Sequence, residues 1–130
     1  MRINIDSPNC EQLIEKQISK YGYIDNRNFT NIPYPFLNNL HDIIISYYNS
    51  HDDDLILLQD YRYRAYGMIS INSILDISYK TLDDGVCEII FYLNYTTIRY
   101  GLSFEDIALV KNLDRVLEKF GKYEILLQIL

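Results

Sequence analysis

His41, His51, Cys10 and Cys87 are the residues that metal or nucleophilic chemistry would need here, because they are all the histidines and cysteines in the chain. Zinc sites draw on closely spaced His and Cys ligands, and a catalytic thiol needs a neighbouring base. Neither histidine belongs to a His-Glu-x-x-His pattern, and neither cysteine to a Cys-x-x-Cys pair. Both cysteines fall on apolar helical faces and read as buried free thiols, since a free cysteine behaves as a small hydrophobe. His41, in a helix, and His51, beside aspartates, read as surface residues. The run His51-Asp52-Asp53-Asp54 offers oxygen ligands to a divalent cation, but the central Gly and terminal Glu of an EF-hand loop are missing. Helix capping and solvation explain that run more simply. No glycine-rich phosphate loop is present. The chain is therefore expected to carry no catalytic residue, no metal and no cofactor.

The charge distribution is more informative. The formal net charge is −6, and it is unevenly placed. Between His41 and Ile90 lie nine acids (Asp42, Asp52, Asp53, Asp54, Asp60, Asp76, Asp83, Asp84, Glu88) and three bases (Arg62, Arg64, Lys80), while the two ends balance. Phosphate contacts require Lys and Arg, so nucleic acid is not an expected partner. A basic protein is, because opposite charge accelerates encounter.

Tyrosine is the second bias: there are thirteen, with no Trp. Several fall among the acids, at Tyr47, Tyr48, Tyr61, Tyr63 and Tyr66. Tyrosine gives a large contact area with a polar tip and is enriched at interfaces. The expected partner-binding surface is Tyr47, Tyr48, Asp52, Asp53, Asp54, Asp60, Tyr61 and Tyr63. Its aromatic rings and carboxylates would meet the cationic groove of a nuclease much as nucleic acid does. AT-rich coding, which favours Ile, Asn and Tyr together, accounts for part of the excess.

The elements that must carry these residues read as helices. Ser7-Pro8 resembles a helix start, and Cys10, Leu13, Ile14, Ile18 and Tyr21 follow at helical spacing up to Gly22. A second helix is predicted from near Pro35 to Ser50, through Leu37, Leu40, Ile44, Tyr47 and Tyr48. Asp54 caps a third over Leu55 to Ala65, and Ser70 a fourth over Ile71 to Leu82, before the turn Asp83-Asp84-Gly85. Residues 86–100 favour strand by propensity but helix by pattern, with Val86, Ile89, Ile90, Leu93, Thr97 and Tyr100 on one face. The pattern is taken here, which predicts a central helix. Ser103 to Asp106 resembles a capping box, and Ile107 to Phe120 is the clearest amphipathic helix, closed by Gly121. Tyr123 to Leu130 fits a short helix or a terminal strand. The expected fold is all-α: one domain over residues 1–130, a bundle of six or seven short helices, with minor strand at most at 86–100 or the termini.

In size, acidity and lack of a catalytic motif the chain is similar to bacterial immunity proteins. These bind and block cognate toxins, including nuclease toxins of contact-dependent growth inhibition. The resemblance implies a non-catalytic inhibitor whose surface around residues 47–66 covers a toxin's cationic site. An alternative is a viral Bcl-2-like helical-bundle decoy for a host amphipathic helix. A second is a small enzyme with a dispersed site. The N-terminus has no apolar signal core, and no run approaches the roughly 18 apolar residues of a membrane span. A cytoplasmic location without membrane association is expected, and oligomeric state is left open.

Overall fold

The computed structural model describes residues 2–30, 37–60, 65–82, 85–103 and 110–129. Helix α1 (Cys10–Tyr21) buries Ile14, Gln17 and Ile18 and stops at Gly22, whose φ of 84° makes a left-handed cap bonded to the Ile18 carbonyl. Its N-cap is Asn9, two residues beyond the predicted Ser7. Helix α2 (Leu37–Ser50) keeps Leu40, Ile44, Tyr47 and Tyr48 on one side, as the spacing predicts, and turns that side inward.

Beyond α2 the predicted helices give way to strands. Strands β1 (Tyr23–Asp25), β2 (Leu55–Asp60) and β3 (Ala65–Ser70) form one antiparallel sheet in the order β1-β3-β2. Strands β4 (Asp76–Thr81), β5 (Cys87–Tyr92) and β6 (Thr97–Leu102) form a second, in sequence order. The all-α bundle and its helical character are thereby overturned: among the described residues four α-helices accompany six strands in two antiparallel sheets. The predicted third helix is β2 and the start of β3. The predicted fourth is a 3-10 turn (Ile71–Ser73) followed by β4. The predicted central helix is the β5–β6 hairpin, in which Phe91 faces Ile98 and Ile89 faces Tyr100.

Burial explains why these strands imitate helices. The first sheet is covered on both faces. Leu55, Leu57 and Met68 join one core with Ile14, Ile18, Leu40 and Ile44, beneath α1 and α2. Ile56, Leu58 and Ile69 join the other, with Ile77, Ile89, Phe91 and Leu102 of the second sheet. A strand buried on both sides is apolar at every position, so the alternation that marks a half-exposed strand disappears.

The C-terminal helices, α3 (Leu113–Phe120) and α4 (Glu124–Ile129), put Leu113, Val116, Leu117, Ile125 and Ile129 into this second core. Gly121 caps α3 in the left-handed conformation, as predicted. Residues 104–109 of the predicted capping box and helix lie outside the described residues, and Val110 to Asn112 are not helical, so α3 begins at Leu113 and not at Ile107. Lys111 pairs with Leu57 through both backbone bonds, which covers part of the β2 edge.

Candidate functional site

The acidic turn lies where α2 hands over to β2. The Tyr48 carbonyl accepts the His51 N–H at 3.0 Å and the His51 carbonyl accepts the Asp54 N–H at 3.2 Å, so the chain reverses tightly. The His51 ring stacks on Tyr47, with centroids 4.1 Å apart and planes 13° from parallel. Its Nδ1 lies 2.9 Å from the Tyr47 carbonyl, which can only accept, so that nitrogen carries the proton.

The turn is fixed from outside through its backbone. The Asn112 amide donates to the carbonyls of Asp52 and Leu55, and Arg115 donates to that of Asp53. Ile71 N–H donates to the Asp54 carbonyl at 2.9 Å. With the main chain held, the carboxylates of Asp52, Asp53 and Asp54 are exposed, and none has a hydrogen bond or ion pair with a described residue.

The predicted partner-binding residues do not form one exposed surface. Tyr47 and Tyr48 are core residues, 7% and 8% exposed. The pKa of the Tyr48 hydroxyl is raised, first by burial and then by Asp52, with Arg115 and Asn112 opposing. Asp60 closes β2, at the end remote from the acidic turn. Tyr61 and Tyr63 lie outside the described residues. What the sequence reading missed is Asn112, just ahead of α3, and Arg115 within it, both brought to the turn. Local spacing holds no signal for such a pairing.

A groove of about 350 Å³ opens between α1 and α2. Ile14, Ile43 and Tyr47 give it an apolar floor, and Glu11 and Asp42 stand exposed on opposite rims. Burial raises the Tyr47 hydroxyl pKa, and Glu15 and then Glu11 push it in the same direction. Cys10 sits at one end of the groove. Cys10 and Cys87 are both free, and burial raises both thiols.

A second cleft, about 500 Å³, separates β1 and its following turn from β6. Its cations are already paired. Arg27 grips Asp25 through Nη2 at 2.7 Å and through Nε, and Arg99 reaches Glu88 at 2.9 Å. Asp76, whose carboxyl is held below the usual range by the Ile77 N–H and then by Lys122, lies outside both concavities. Among the described residues no three His, Cys, Asp or Glu side chains converge as metal ligands. No described helix is long and apolar enough to cross a membrane.

No protein-family model, curated protein or solved structure matches this chain. The helical-bundle architecture that a Bcl-2-like decoy requires is absent from the described residues, because its expected central helix is the β5–β6 hairpin.

Proposed function

We propose that this chain is a non-catalytic acidic binding protein that captures a basic protein partner, in the manner of bacterial immunity proteins that block a toxin. The observation that carries the reading is the α2–β2 turn. Three consecutive exposed carboxylates there form no ion pair with a described residue, while Asn112, Arg115 and Ile71 immobilise the backbone beneath them. A turn fixed before binding loses little entropy on association, so its exposed carboxylates meet an approaching cation without first being ordered. A cationic nuclease toxin is the partner class that best complements it.

The test is affinity capture from the source organism at low and high salt, using the wild-type chain and the triple variant Asp52→Asn, Asp53→Asn, Asp54→Asn. These changes keep side-chain shape and remove charge, and the clasping bonds go to backbone oxygens that remain. A basic protein captured by the wild type at low salt, and lost both at high salt and from the triple variant, supports the reading. Equal capture by both proteins at both salts overturns it.

A further inference from the structure

We infer that the groove between α1 and α2 receives a cationic amphipathic helix from the partner. This rests on the basic-partner reading and specifies the form in which the partner's charge is presented.

The walls decide the form. Both are α-helices, whose main-chain groups are bonded internally along their length. An extended segment laid between them would find no sheet edge to pair with, and its own N–H and C=O groups would lose water without replacement. A helix satisfies its main chain by itself and needs from the groove only an apolar floor for side chains one turn apart. Ile14, fully buried, with Tyr47 and the half-buried Ile43, supplies that floor. A volume of about 350 Å³ holds a few side chains, not a folded domain.

The rims decide the charge. Glu11 and Glu15 are four residues apart and share one face of α1, while Lys16 and Lys20 occupy another. Asp42 faces them from α2, 81% exposed, with His41 Nδ1 at 3.7 Å. Glu11 and Glu15 form no ion pair with a described residue. The Tyr47 hydroxyl, whose proton Glu15 and Glu11 both help to hold, has no hydrogen-bond partner among the described residues either. A lysine or arginine flanking the apolar stripe of an incoming helix would meet Glu11 on one side, with Glu15 one turn along α1, and Asp42 on the other. The Tyr47 hydroxyl would accept from it.

Cys10 provides the readout, because it lines the groove and is partly exposed whereas Cys87 is buried. The probe is a synthetic peptide with Leu at helical spacing and Lys on the flanks. Its control has the same composition with the leucines scattered. Alkylation of Cys10 by a neutral maleimide is followed under mildly alkaline conditions, with peptide binding measured in parallel by calorimetry. The amphipathic peptide is expected to slow alkylation about tenfold, and the scattered peptide less than twofold. Ser46→Arg, an exposed change in the groove, is expected to abolish protection with the thermal midpoint unchanged. The triple Asp52–Asp54 variant should keep most of the protection.

Binding without Cys10 protection, or protection that survives Ser46→Arg, overturns the groove as the docking site and leaves the basic-partner reading standing. Equal protection by the two peptides overturns the helical form. Loss of protection in the triple variant alone places the contact at the turn and also overturns the groove. Absence of binding by either peptide overturns the groove, while capture of a basic partner remains the separate test of the broader reading.

Discussion

The Asn112 side-chain amide donates to the Leu55 carbonyl at 2.9 Å and also to that of Asp52, so one residue ahead of α3 holds both ends of the acidic turn. It does so at φ 68°, the only positive φ outside glycine among the described residues. Asparagine visits that left-handed region more readily than other residues with a Cβ. Its side chain does not cap α3, because it is committed to the turn.

Two substitutions at Asn112 separate the clasp from the conformation. Asn112→Gly loses the clasp and keeps the φ at no steric cost. Asn112→Ala loses the clasp and adds left-handed strain. Loss of the hydrogen bonds is expected to cost about 1–3 kcal/mol. The strain adds about 1 kcal/mol for a residue with a Cβ. Urea midpoints should therefore fall in the order wild type, Gly, Ala. A Gly variant as stable as the wild type would show that the clasp contributes nothing to folding.

Tyr47 and Tyr48 give the fold an alkaline limit. Burial raises both hydroxyls, with Glu15 and Glu11 adding at Tyr47 and Asp52 adding at Tyr48. The folded chain therefore keeps these protons at pH values where the unfolded chain has begun to release them. Between the two values the folded state binds more protons, so stability falls as pH rises. The contribution is whole below the ordinary tyrosine value and is lost as pH climbs through the raised folded value. Tyr47→Phe is expected to flatten this alkaline limb, with a change of only about 0.5 kcal/mol near neutrality, where its hydroxyl has no partner among the described residues to lose. Urea midpoints against pH would show it, and an undiminished slope in the variant would assign the limb elsewhere.

The helices that face one core were legible in the sequence, and the doubly covered sheet was not. α1, α2 and α3 each bury one stripe and end at a recognisable stop, so the positions of Ile14, Ile44 and Val116 follow from spacing. In β2 the run Leu55-Ile56-Leu57-Leu58 serves two cores at once, and a continuous apolar run has no period to read. In β5 the inward residues Cys87, Ile89 and Phe91 alternate correctly, but Ile90 between them is also buried. That extra apolar position completed a false helical face with Val86 and Leu93. The β-branched and aromatic propensity of 86–100 was the better guide. For the site, the acidity of the turn was legible, whereas its clasp by Asn112 and Arg115 depends on a contact some sixty residues away in sequence. Tyr47 looked like a surface anchor because helical spacing places it beside the acids. The fold instead buries its ring against His51.

Gly22 is expected to be the least tolerant glycine. It joins α1 to β1 at φ 84°, and its carbonyl accepts the Ser70 N–H at 2.8 Å. A Cβ placed on it would lie 2.6 Å from Ser73 Cβ, closer than such atoms ever come. Gly22→Ala thus combines left-handed strain of about 1–2 kcal/mol with a clash that must displace the 3-10 turn before β4. A total loss of about 3 kcal/mol or more is expected, against about 1 kcal/mol for Gly121→Ala, whose Cβ would meet open space. Thermal midpoints of the two variants check this, and equal losses would show that the Ser73 contact relaxes freely.

Gln17 lies within the buried stripe of α1, between Ile14 and Ile18, and is 2% exposed. Its Oε1 has no hydrogen-bond partner among the described residues. A buried acceptor without a partner costs about 1–3 kcal/mol relative to an apolar group of similar shape. Methionine matches glutamine closely in length and helix propensity, so Gln17→Met removes the orphan acceptor without opening a cavity. The variant is expected to gain about 1 kcal/mol, read as a higher urea midpoint at unchanged slope. Gln17→Ala should lose stability instead, because it leaves a void beneath α1 where the acceptor stood. If methionine destabilises as much as alanine does, the amide is making a favourable contact at this position, and its burial there is specific.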